Sequence, residues 1–391
     1  ATLLTRETGK AIRDSEGEIR RSLETFSLAA EEAIRIEGRH IPLDGSAMGA
    51  GKLAMLLRFP VGVVAAITPY NAPFNLAAHT IAPSIAAGNT MVLKPPPQAP
   101  LIVHRLAELV VEAGAPAGVL NVVHGGATIG KALVSDPRVD FITFTGSSRA
   151  GAAIKAASGL RRVALELGGN GATIVHADAD IARAAAACAR NSMRLAGQSC
   201  ISVQSVHVHA SVLDKFLDRI VAEVDKMKLG DPLDPATDVG TLIDEAAAQR
   251  IEQWVHDAAD EGAHVLTGGR RHGAAFEPTV LTRVAPTMKV VCEEVFGPVV
   301  NVLPYDTLDD AFAAINASPY GLQAGIFTKS NEVTFAAIRA LRVGGIIVNG
   351  TSTWRTDQLA YGGVKASGIG REGPRYAIED MTEQRLVVFD L

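Results

Sequence analysis

Cys200 stands in the run GQSCISV, between an alanine-rich segment and a β-branched one. A thiol on such a connection is open to a substrate and, as thiolate, can attack a carbonyl carbon. A buried, inert cysteine fits the same run. Glu166 lies in LELGG, flanked by leucines and followed by two glycines. An ionised carboxylate there either has its pKa raised, as suits a water-activating base, or points at solvent or an arginine. Asn71, between Pro69 and Pro73, offers an amide N–H that could meet a developing oxyanion, or simply shapes a turn. FTGSS (144–148) reads as strand, glycine turn and helix start. Backbone N–H groups at such a turn can hold a phosphate, although plain helix caps look the same and the G-x-G-x-x-G fingerprint is missing. The turn HGGATIG (124–130) is as ambiguous, and Cys188 and Cys292 read as structural.

These residues need elements to place them. The apolar run 61–68, stopped by Pro69, suits a parallel strand covered on both faces, and 90–97 repeats the pattern. Helical spacing follows over 101–113, then strands run into glycine turns at 119–126 and 141–148. Strand and helix alternate, so the expected fold class is α/β with a Rossmann-type doubly wound parallel sheet. A second α/β unit starts near Gly168, with an alanine-rich helix over 180–195, a strand over 202–209 and helices at 211–228 and 244–261. Its later strands fall around 298–304, 325–328 and 345–349. Residues 2–36 read as charged amphipathic helix, and 42–60 as a hairpin or flap.

A length of 391 residues makes two domains the expectation. The 37 basic and 42 acidic side chains are intermixed, which argues against a nucleic-acid partner. Three cysteines form neither a disulfide framework nor a zinc pattern, so no metal is expected and a reducing cytoplasm fits. Residues 58–94 hold no charged side chain in their interior, but four prolines with Asn71, Asn75 and His79 would leave polar groups unpaired in lipid, so no membrane partner is expected. The opening helix and the lack of an initiator methionine suggest that an N-terminal segment is missing.

Seven ordered runs, TPYNAPFN (68–75), LKPPPQAP (93–100), FTGSS (144–148), LELGG (165–169), GQSC (197–200), EEVFGP (293–298) and YGGVKASGIGREG (361–373), together resemble the aldehyde dehydrogenase superfamily over essentially the whole chain. The resemblance implies that Cys200 attacks an aldehyde, that Asn71 and the Cys200 N–H hold the oxyanion, and that Glu166 activates water to hydrolyse a thioester. It implies NAD or NADP as cofactor. Lys94 would reach the adenine ribose, Gly146 and Ser147 the pyrophosphate, and Glu294 with Phe296 the nicotinamide ribose. Thr68, Pro69, Tyr70, Leu167 and Gly168 would complete that cofactor site. It further implies an NAD(P)-binding domain from 1–41 and 61–167, a catalytic domain over 168–370, and an oligomerisation flap from 42–60 and 371–391 that joins a homodimer or homotetramer.

Three positions depart from the family pattern. Pro97 stands where many NAD-preferring members have a glutamate, which relaxes discrimination against a 2′-phosphate. Thr80 and Asn170 stand where relatives commonly have lysine. Arg355 resembles branches acting on small polar aldehydes such as lactaldehyde, phosphonoacetaldehyde or glyceraldehyde 3-phosphate, and could take an anionic tail. Arg194 is a further candidate substrate residue, since Ser199 replaces an arginine often found beside the nucleophile, and His79 is another, as the neighbour of Thr80 that could stand in for the lysine there. A broad-specificity aliphatic or aromatic aldehyde dehydrogenase and a CoA-acylating enzyme are the alternatives, the second opposed by Glu166.

Overall fold

The computed structural model describes residues 1–391. A six-stranded sheet has the order Gly368–Ile369, Arg162–Glu166, Phe141–Thr145, Val63–Ile67, Thr90–Lys94, Leu120–Val122. Its last five strands are parallel and the first is antiparallel. From Val63–Ile67 the chain builds outward through two strands, then returns to place Phe141–Thr145 on the other flank. That reversal opens a crevice at the carboxyl ends of the two central strands, the place where doubly wound sheets bind ligands. Val64, Ala65, Ala66 and Leu93 are fully buried because helices cover both faces.

A second sheet of seven strands runs His264–Thr267, Thr279–Thr282, Val299–Tyr305, Val203–His209, Gly171–Val175, Gln323–Phe327, Gly345–Val348, antiparallel only at its first pair. Apolar clusters line both of its faces, under helices Ile181–Met193 and Leu213–Val224 on one side and Leu308–Ala317 and Asn331–Ala340 on the other. The expected 42–60 flap is the antiparallel strand Lys52–Pro60, between Arg39–Ile41 and Thr382–Asp390. No helix is long and apolar enough to cross a membrane.

Two expectations need adjusting. Residues 2–36 form two helices, Thr2–Thr8 and Ile12–Ala33, because Gly9 takes a left-handed φ of 72°. Its backbone packs so closely that a Cβ would lie 1.9 Å from Thr241 Oγ1. Residues 371–391 do not all join the flap. Helix Pro374–Asp380 packs on the first domain, with Ile378 and Met381 in that core, and only Thr382–Asp390 enters the three-stranded sheet.

Candidate functional site

Cys200 reaches its position through a forced turn. After helix Ile181–Met193, Leu195 and Ala196 take left-handed φ values of 56° and 51°, followed by Gly197 at 70°. Left-handed non-glycine residues cost roughly 1–2 kcal/mol each, so surrounding contacts must hold them. Gln198 is one such contact: its Oε1 accepts from the Ile243 N–H at 2.9 Å. Cys200 itself is partly buried and packs against Ile201, Leu322 and Tyr361. Burial pushes its thiol up to about 12, against the opposing pull of a Tyr361 hydrogen bond.

Asn71 follows the central strand Val63–Ile67 and donates from Nδ2 to the Gln198 carbonyl at 2.9 Å. That bond aims the amide at the Cys200 loop and leaves its second N–H free, while the Cys200 backbone N–H has no partner within the fold. Two unfilled donors thus belong to the walls of one cavity with the sulfur, and an oxyanion needs such donors. The loop is braced from below. Lys10 Nζ donates to the Asn71 carbonyl at 2.6 Å and pairs with the buried Glu18. Glu18 Oε1 in turn accepts from the N–H groups of Phe74 and Asn75 at 2.9 and 3.1 Å, which caps the helix Pro73–Ala86.

Glu166 ends the strand Arg162–Glu166. Both carboxyl oxygens are buried without a hydrogen-bond partner. Burial first, then the charge on Glu372, raises its pKa well above the carboxylate range, with Arg355 and Arg371 offsetting part of the effect. A carboxyl held this way makes a stronger base when ionised.

Cys200, Asn71 and Glu166 line one cavity of about 310 Å³. Pro69, Tyr70, Gly146, Ser147, Leu167, Gly168, Glu294 and Phe296 line it too, as does Arg355. A larger cavity of about 900 Å³, lined in part by Trp354 and Arg190, has no cysteine in its walls. Of the expected cofactor residues, Thr68 and Lys94 stand outside the smaller cavity's lining, at or just beyond the ends of the central strands. Thr68 Oγ1 is buried with no partner. Ser147 caps helix Ser148–Ala157, leaving the first-turn N–H groups toward the crevice. Lys94 ends the adjacent strand, and its ammonium rests on the Pro95 and Gly125 carbonyls at 2.9 and 3.1 Å. On the opposite wall Glu294 Oε1 accepts from the Gly169 N–H at 3.0 Å, and burial lifts its pKa to about 7. Phe296, at a left-handed φ of 50°, meets Tyr70 edge-on at 6.1 Å.

Arg355 is 7% exposed and gives Nη1 to Glu372 at 2.9 Å. Its guanidinium lies 3.7 Å from the centre of the Tyr361 ring, while Nε and Nη2 are buried and unpartnered. The other two candidate substrate residues are not brought here. His79 is buried in its helix, 3.3 Å from Asp357, which also holds Arg21 and Thr25. Arg194 is half-exposed and pairs with Asp14 at 3.2 Å, with the turn at 195–197 between it and Cys200. Asn170, without an account from sequence, donates to the Val291 carbonyl at 2.6 Å and ties the two walls together.

Sequence reasoning missed Tyr361, Glu372 and Arg250, all of which line the cavity. The first two stand near the ends of the recognised run 361–373, and the fold pairs them, each giving its N–H to the other's carbonyl. Arg250, bonded to the Val295 carbonyl at 2.8 Å, carried no sequence signal.

The model of the aldehyde dehydrogenase family matches residues 1–387. The chain is 47% identical to a 3-sulfolactaldehyde dehydrogenase of Priestia aryabhattai, across 100% of this chain and 82% of that protein. Among solved structures, aldehyde dehydrogenase 21 of Physcomitrella patens, in complex with the reaction product succinate, is 40% identical with a TM-score of 0.96, covering 99% of this chain and 81% of the other. The glyceraldehyde-3-phosphate dehydrogenase GapN of Methanocaldococcus jannaschii, complexed with NADP, is 37% identical with a TM-score of 0.96, covering 100% and 85%.

Proposed function

The chain belongs to the aldehyde dehydrogenase family, and on that premise we propose that it oxidises a small polar or anionic aldehyde to the carboxylic acid with NAD or NADP, through a thioester on Cys200. The observation that carries the substrate class is the Arg355 guanidinium, whose Nε and Nη2 stay buried and unpartnered in the wall shared with Cys200. A buried cationic donor pair leaves a large desolvation cost unmet until an anionic oxygen takes it. The relatives support that reading, since one is named for a sulfonate-bearing aldehyde and another was solved with a dicarboxylate product.

In this reading the Cys200 thiol gives its proton to the ionised Glu166 carboxylate in the same cavity, which passes it to solvent, and the sulfur forms a bond to the carbonyl carbon as the C=O pair moves onto oxygen. The free Asn71 amide N–H and the Cys200 N–H receive that charge. Bound in the strand-end crevice, a nicotinamide dinucleotide supplies the hydride acceptor that makes the adduct a thioester. Glu166 then takes a proton from water as the water oxygen adds to the thioester carbon, and the C–S pair returns to sulfur. Arg355 holds the remote anionic group throughout, which fixes the reacting carbon against Cys200. Lys94, Ser147 and Glu294 bind and orient the dinucleotide.

A panel of carboxylate-bearing, sulfonate-bearing and neutral aldehydes, each with NAD and with NADP, tests the proposal. Free acid is expected without coenzyme A, and turnover with both dinucleotides, because Pro97 offers no carboxylate against a 2′-phosphate. Arg355→Met should raise KM about tenfold or more for anionic aldehydes relative to neutral ones, while any fall in kcat from the loss of its contacts with Glu372 and Tyr361 is common to both. An equal effect on both groups overturns the anchor. The same reading takes the protein as a cytoplasmic homodimer or homotetramer, supported by three unpaired cysteines and the terminal strand Thr382–Asp390.

A further inference from the structure

Tyr361 is placed as few side chains in this molecule are. Its ring is buried, and its hydroxyl lies 3.2 Å from Cys200 Sγ with no other hydrogen-bond partner. Its backbone is fixed on both sides by Glu372, through N–H to carbonyl bonds of 3.1 and 2.6 Å. One face of the ring carries the Arg355 guanidinium at 3.7 Å, and Arg355 is itself anchored on the same Glu372 at 2.9 Å. Glu372 thereby holds the phenol twice, once by its backbone and once through the arginine stacked on it.

We propose that Tyr361 is a catalytic residue, whose hydroxyl donates a hydrogen bond to the Cys200 sulfur whenever that sulfur carries negative charge. A neutral thiol can give or receive at this contact, but a thiolate can only accept, and the phenol is the side chain that hydrogen-bonds the sulfur. The phenol keeps that proton: burial, then the charge on Cys200, pushes its own ionisation well above the usual range. The cation on the ring face draws electron density from the oxygen, which makes the hydroxyl a better donor. Charge sits on sulfur twice in the proposed reaction, before it attacks and again when the thioester C–S bond breaks. Tyr361 would act at both points.

The inference rests on the proposed role of Cys200, and its test separates the two. Four charged or titratable side chains face the sulfur: Glu166, Glu294, Arg355 and Tyr361. In a Cys292→Ser background, which removes the exposed thiol, the rate of inactivation by iodoacetamide is followed against pH for Tyr361 and for Tyr361→Phe. The other three groups are common to both proteins, so a difference reports the hydroxyl. The Phe protein should react about tenfold or more slowly near neutral pH, with its midpoint moved up by about one unit or more and its rate recovered in alkali. An unmoved midpoint overturns the role of Tyr361. If alkylation leaves activity intact, or Cys200→Ala still oxidises aldehyde, the nucleophile assignment fails instead, and the inference with it. Should the Phe protein fold poorly, 3-fluorotyrosine at position 361 keeps the shape with a more acidic hydroxyl, and the midpoint should then move down. No movement there overturns the proposal equally.

Discussion

An unpartnered buried carboxyl couples folding to pH. Glu166 holds its proton more tightly in the fold than in the unfolded chain, so above the unfolded carboxyl pKa the unfolded state releases a proton that the native state keeps. Stability contributed at this position is therefore greatest at low pH and falls as pH rises toward the native pKa, by about 1.4 kcal/mol for each unit of difference. Glu166→Gln removes that loss. Its melting temperature should match the parent's near pH 4 and exceed it increasingly toward neutral pH, and a constant difference across that range would contradict the buried, protonated state. The same variant should form one equivalent of reduced dinucleotide and then stall at the thioester, with a steady rate lower by roughly 10²–10⁴-fold. Stopped-flow absorbance of the reduced dinucleotide reads both phases, and an unchanged steady rate would remove Glu166 as the base.

At the scale of elements, glycines decide how the two sheets approach. Gly169 follows the first sheet's strand Arg162–Glu166, and a Cβ there would lie 2.0 Å from the Cys200 carbonyl oxygen. Gly169→Ala should push the nucleophile loop away, costing about 1–3 kcal/mol of stability and a larger share of kcat. Thermal melting beside steady-state rates would show the split, and full activity would mean that the loop adapts. Much of this architecture was legible in the chain. The strand interiors 63–67 and 91–93 are apolar on every residue because both faces of the sheet are covered, and Pro69 and Pro95 follow soon after their ends. Cys200 and Glu166 were equivocal in their own surroundings, each open to a bland reading, and only the seven ordered runs together paired them. The Arg355–Glu372–Tyr361 cluster was not legible, because its meaning lies in a contact with Cys200 across 161 positions. His79 was misread for the same reason: its partner Asp357 lies far along the chain. The break at Gly9 depended on close packing against Thr241, which no local pattern reports.

For the whole molecule, the strand Thr382–Asp390 is an edge. It pairs with Lys52–Pro60 on one side only, and Leu386, Val388 and Phe389 remain about half exposed. An apolar edge of that length invites pairing unless another chain covers it. Leu386→Lys with Val388→Lys should lower the mass in light scattering to that of a smaller species with the fold intact by circular dichroism; an unchanged mass would place the subunit contact elsewhere. The N-terminal helices have a different reach. Gly9 and Ile12 bond to the Thr241 N–H and the Pro232 carbonyl of the second-sheet unit, while Lys10 and Glu18 grip the Asn71 loop of the first. They therefore work as a tie rod across the mouth of the crevice. Swinging the two halves apart would break the backbone bonds to Thr241 and Pro232 and the Asp14–Arg194 pair, each worth about 1 kcal/mol, so the dinucleotide and the acid are expected to exchange by small local movements of the walls, with the halves kept in register.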